Sequence, residues 1–178
     1  MRLHPLSTLH LSLHLYLHLP YVLSQSTNTT SLTAPALVTN NNRTVIQCWR
    51  LRIPFQTSST PGVVGAKAAT VANVTNMAYT VLPPRFDGGL HRAPAPQIVH
   101  FVSGLAHITL PDDPDRDLWL VGGVGGLLLA VDTTGTGHIT RYPSDQHTVG
   151  LLAPFEGGRV PEYEVVKNGG CEGVQTFP

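Results

Sequence analysis

Residues 85–141 read RFDGGLHRAPAPQIVHFVSGLAHITLPDDPDRDLWLVGGVGGLLLAVDTTGTGHITR. Short apolar runs in it are separated by glycines, prolines and one acidic turn, PDDPDRD at 111–117. In a strand, alternate residues face one side. Gln97, Val99 and Phe101 therefore share a face, with Ile98, His100 and Val102 opposite, and farther on His138 and Thr140 share a face. If Gln97 points inward, His100 points outward. Two histidines frame the stretch: His91 precedes the first long strand pattern and His138 follows the last. The whole chain has 17 glycines and 15 prolines, which suits many short strands and tight turns and argues against a helical bundle. The expected class is all-β.

The same residues resemble the cupin family, whose first motif is G-x5-H-x-H-x(3,4)-E-x6-G. Gly104 supplies its final glycine, Gln97 stands at the Glu, His91 at the first His, Ala93 at the second His and Arg85 at the opening glycine. The second motif is G-x5-P-x-G-x2-H-x3-N. His138 fits its His and Gly135 the glycine before it. Thr133 replaces Pro, Tyr142 replaces Asn, and the opening glycine, Gly126, is one residue out of register. The run Asp132–Arg141 also looks like a second-motif variant seen in cupins of unknown function. The resemblance spans Tyr79 to Pro154. It implies a double-stranded β-helix, or jelly-roll, barrel, which closes its sheet edges and can hold one small ligand.

Cupin-like pockets serve isomerases, lyases, decarboxylases and dioxygenases. In this chain His138 is the expected general acid or base and His91 its partner. Gln97, Phe101 and Thr140 are the expected ligand contacts, with the Gln97 amide donating to a substrate oxygen. The target class is a small carbonyl or aromatic metabolite. The alternative is a pocket that binds a sugar or metabolite without turnover. The family's metal site takes three imidazoles and a carboxylate. His91, His138 and Gln97 offer two imidazoles and a neutral amide to a divalent iron, manganese, nickel, copper or zinc ion, which would make a dioxygenase. The competing reading is a metal-free pocket. Asp132 is a further carboxylate, but two turn-prone glycines separate it from His138 and its facing is not readable.

Lys plus Arg and Asp plus Glu balance at 11 each, and no basic patch appears. Neither nucleic acid nor a membrane surface is an expected partner. A small-molecule ligand and self-association as a homodimer are. Residues 1–24, MRLHPLSTLHLSLHLYLHLPYVLS, have a signal-peptide outline, although His10, His14 and His18 interrupt its apolar core. A disordered extension and a His-rich metal-binding tract compete with it. Sequons at Asn28, Asn42 and Asn73 fit a secreted glycoprotein. In a secreted chain Cys48 and Cys171 would pair; in a cytosolic one they are unrelated thiols.

Residues 25–42, rich in Ser, Thr and Asn, read as a disordered linker. The barrel domain is expected over 43–166 and a tail over 167–178. TVIQCWRLRIPF, 44–55, is a half-buried strand with Trp49, Leu51, Ile53 and Phe55 facing inward. Residues 63–74 lean towards strand. RAPAP, 92–96, reads as a rigid extended rim carrying His91, because proline cannot donate to a ladder. PDDPDRD reads as a solvated turn, lacking EF-hand spacing. GGVGG, 122–126, lacks the order of a nucleotide loop and gives backbone freedom at a corner. No G-x-S-x-G, H-E-x-x-H or C-x-x-C occurs, so hydrolase-elbow, zincin and thioredoxin chemistry find no support.

Overall fold

The structure, a computed structural model, describes residues 31–172. The expected leader, the Asn28 sequon and the last tail residues lie outside the described residues. Thirteen strands follow in order: β1 (Ser31–Asn40), β2 (Arg43–Pro54), β3 (Gln56–Thr57), β4 (Lys67–Ala68), β5 (Ala78–Leu82), β6 (Phe86–His91) and β7 (Gln97–Ser103). Then come β8 (Leu105–Leu110), β9 (Asp113–Val121), β10 (Leu127–Ala130), β11 (His138–Tyr142), β12 (Thr148–Pro154) and β13 (Tyr163–Asn168). The all-β class is as the sequence predicts.

Seven strands form one sheet in the order β13-β2-β1-β10-β7-β12-β5, and four form a second in the order β6-β11-β8-β9. One buried cluster joins them. Leu37, Ile46, Val99, Phe101 and Leu128 come from the larger sheet, and Ala106, Ile108, Leu110, Leu118 and Leu120 from the smaller. The alternation read in β7 is present: Gln97, Val99 and Phe101 are buried and Val102 is exposed. His100 lies on the other side, with its Nε2 2.9 Å from the Gly123 carbonyl. The acidic stretch turns β8 into β9, and GGVGG folds back on β7, where Phe101 N–H donates to Gly126 O at 2.9 Å. A Cβ on Gly126 would stand 2.1 Å from Phe101 O, so that approach requires glycine.

Four expectations need correction. Residues 31–40 are not linker but β1, paired antiparallel with β2 and parallel with β10. The polar composition misleads because Ala34 and Ala36 are small by necessity: they pack with the Trp49 indole in a second buried cluster. Pro35 is tolerated inside the sheet because β10 pairs only with Ala36 and Leu37. Trp49 and Leu51 face that second cluster, with Leu129 and Phe155, on the opposite side of the sheet from Ile46. The face of β2 expected to point inward is therefore not the one that joins the two sheets: both of its faces are covered, and alternation alone does not say by what. Residues 63–74 form no long strand; Lys67–Ala68 pairs with Gln56–Thr57, Val74 makes a single antiparallel bridge with Phe155, and Val71 and Ala72 pack onto the second cluster. At the other end, β13 runs to Asn168, past the expected domain limit.

Cys48 and Cys171 form a disulfide across a sequence separation of 123 residues, tying the segment after β13 to β2. Closing so long a loop restricts the unfolded chain. Reduction is expected to lower stability by about 2–5 kcal/mol, read as a lower urea midpoint in reductant; an unchanged midpoint would show the bridge to be dispensable. Among the described residues no helix is long and apolar enough to cross a membrane.

Candidate functional site

β6 and β11 pair antiparallel, and His91 and His138 are direct cross-strand partners. Directly opposed residues place their side chains on the same face of the sheet. Their imidazoles accordingly meet, with ring centroids 4.4 Å apart and planes at 61°. Gly137 makes this close crossing possible. Its φ is 76°, and a Cβ there would stand 2.5 Å from the His91 carbonyl oxygen. Gly137→Ala should therefore cost more than the about 1–2 kcal/mol of a left-handed backbone alone and should part the two rings. Thermal unfolding checks the first effect, and histidine resonances the second. A variant as stable as the parent would contradict this packing.

Both histidines line a cavity of about 200 Å³ between the two sheets. Gln97, Phe101 and Thr140 line it as well, with Thr80, Tyr142 and a wall of Leu82, Val99, Ile108, Leu128, Ala130 and Leu152. The structure thus gathers all five sequence-predicted site residues around one space. His91 is exposed at the mouth, whereas His138, Gln97 and Thr140 are buried. Ala93, in the segment read as the rim, is also buried against the core. His100 and His107 do not join them. His107 lies on the outer face of the smaller sheet, stacked on Trp119 at 3.9 Å and 2.9 Å from Asp117 Oδ2. The hydrogen bonds from His107 and Trp119 hold the Asp117 carboxyl below its ordinary value.

Asp132 is the residue whose role the sequence left open. It is fully buried, and its Oδ2 accepts from His138 Nδ1 at 2.7 Å. Thr44, which sequence reasoning missed, completes the arrangement. Its hydroxyl donates to Asp132 Oδ2 at 3.1 Å and accepts from Gly137 N–H at 3.0 Å. The start of β2 thus fixes the carboxylate that fixes the imidazole. Asp132 precedes His138 by six residues, a local signal; Thr44 lies 88 residues from Asp132 and carries none.

The donors here do not fit a divalent metal. The site offers two imidazoles and one neutral amide, and the only nearby carboxylate oxygen in a hydrogen bond is already committed to His138 and Thr44. Among the described residues no group of three or more His, Cys, Asp or Glu is placed to hold a metal ion. With no third imidazole and no carboxylate among the described residues lining the cavity, and Asp132 engaged behind His138, iron, manganese, nickel, copper and zinc lack the ligands they ordinarily take.

Tyr142 is the remaining polar group in the wall. Its ring packs edge-on against Phe101, at a centroid distance of 5.9 Å, and burial pushes its phenol up to about 12 from 10.0. Desolvation penalises the phenolate. The folded value is raised, so this contribution to stability is fully present below the unfolded value near 10. It is lost as pH rises through about 12. In an alkaline absorbance titration one tyrosine should ionise late, and Tyr142→Phe should remove that step; a late step surviving the substitution would assign it elsewhere. Compared with family models and with curated proteins, the chain matches none.

Proposed function

We propose that this chain is a secreted cupin-like jelly-roll protein whose cavity performs acid–base chemistry on a small carbonyl or aromatic metabolite, as an isomerase, lyase or decarboxylase. One observation carries the reading: a buried carboxylate, Asp132, 2.7 Å from the Nδ1 of a histidine in the cavity wall. That contact sets the His138 tautomer, leaves Nε2 as the base, and stabilises the imidazolium formed when it takes a proton. His91 stands beside it to hold the substrate, and Gln97 supplies an amide N–H for a carbonyl oxygen. Loop-and-strand order around Gly104 and His138 supports the cupin resemblance, and the Cys48–Cys171 bridge supports an oxidising, extracellular location.

Proton abstraction next to a carbonyl has a direct readout. The protein is incubated in deuterated water with a panel of enolisable hydroxycarbonyl compounds, and loss of the C–H signal is followed by proton NMR. Exchange should appear with the parent and fall by about 10²–10⁴-fold in His138→Gln, the usual worth of a positioned general base. Saturable binding without exchange would favour a non-catalytic pocket. Exchange at an equal rate in the variant would remove His138 from the chemistry.

A further inference from the structure

Each imidazole at the cavity is held in one tautomer by a partner outside it. His91 Nδ1 lies 2.9 Å from the Gly89 carbonyl oxygen. That oxygen only accepts, and a nitrogen lone pair facing it would be repelled, so Nδ1 carries the hydrogen. His138 Nδ1 likewise donates to Asp132 Oδ2 at 2.7 Å. The carboxylate cannot easily turn away, because the Thr44 hydroxyl donates to the same oxygen and is itself anchored by Gly137 N–H. In both neutral rings the nitrogen left over is Nε2, and it is an acceptor. The rings stand 4.4 Å apart and both residues line the cavity, which puts the two imidazoles at one end of it. Among the described residues, no Lys, Arg, Asp or Glu lines the cavity. An ionised ligand would be desolvated there without a counter-charge, at high cost.

We infer that the cavity takes an uncharged ligand with two neighbouring hydroxyl groups, a vicinal diol or enediol, each O–H donating to one of the two Nε2 atoms. The inference rests on the proposed reading of this cavity as the ligand site and adds to it the chemical class of the ligand. Anions are selected against by the apolar wall. Ethers, and carbonyl compounds that carry no hydroxyl donor, are selected against by the histidine end, where they would set acceptor against acceptor and leave both nitrogens unpaired.

The test uses the full chain labelled with ¹⁵N and ¹³C in histidine, and three matched probes: cis-cyclohexane-1,2-diol, its dimethyl ether and cyclohexanecarboxylate. Long-range ¹H–¹⁵N correlations first report the tautomers: Nδ1 should be protonated in both His91 and His138, and a protonated Nε2 in either neutral ring overturns the inference. On titration the diol should shift the ring signals of both residues saturably and leave His107 still. The ether and the carboxylate should bind about tenfold more weakly or worse, the effect of stranding a buried acceptor. If the ether or the carboxylate binds as well as the diol, the diol assignment fails while the cavity remains a ligand site. If none of the three moves either ring, the diol assignment fails and the proposed ligand site loses its support with it.

Discussion

Phe101→Ala is expected to lower the unfolding free energy by about 3–5 kcal/mol, whereas Gln97→Ala changes ligand affinity more than stability. Both residues point to the same side of β7, and both line the cavity. They differ in what surrounds them. Phe101 is 3% exposed and sits in the cluster that joins the two sheets, against Tyr142. Removing its ring takes apolar contacts from both sheets at once, and the walls on either side cannot collapse far because each is a hydrogen-bonded ladder. Gln97 is also buried, at 5%. Its truncation nevertheless enlarges a space already present and removes a polar group rather than packed hydrocarbon. Urea unfolding of the two variants beside a ligand titration separates the effects. Equal destabilisation by both would take Gln97 off the list of ligand contacts.

The second large effect lies in the Asp132–His138 pair. His138→Leu should destabilise by about 3–5 kcal/mol, because it strands a buried carboxylate. Asp132 is 0% exposed, and its other oxygen, Oδ1, makes no hydrogen bond among the described residues, so little else can compensate. Asp132→Leu should cost a comparable amount, about 1–3 kcal/mol for each of the two donors left unsatisfied, on His138 and Thr44. The double substitution should then be more stable than the sum of the singles implies, since two apolar side chains can replace a buried polar pair. Additive losses across the cycle would mean that the 2.7 Å contact contributes nothing of its own to the fold.

Some of this site was legible in the chain and some was not, for physical reasons. The period-two pattern of β7 fixed which residues share a face, so Gln97 and Phe101 could be placed together and His100 apart from them. Glycines at 104, 135 and 137 marked turns correctly, because positive backbone angles leave few other choices. Alternation gives parity, however, and not the identity of what covers each face. For that reason Trp49, expected to face inward, belongs instead to the cluster on the side of the sheet away from the one that joins the two sheets. The strand at Ser31–Asn40 was hidden because its small and polar residues serve a large neighbour, Trp49, supplied by another strand. The partnership of His91 and His138 followed from the cupin resemblance rather than from any local pattern. In the structure His138 pairs with His91 itself, a register no local pattern encodes. Thr44 was invisible for the same reason: its partners, Asp132 and Gly137, lie 88 and 93 residues away.

The most direct measurement is a nuclear Overhauser spectrum of the full chain with labelled histidine rings. With centroids 4.4 Å apart, ring protons of His91 and His138 should show a strong cross-peak in the ligand-free protein, and neither should show one to His100 or His107. Absence of the His91–His138 cross-peak, with both sets of resonances assigned and the protein folded, would contradict the shared pocket and everything built on it.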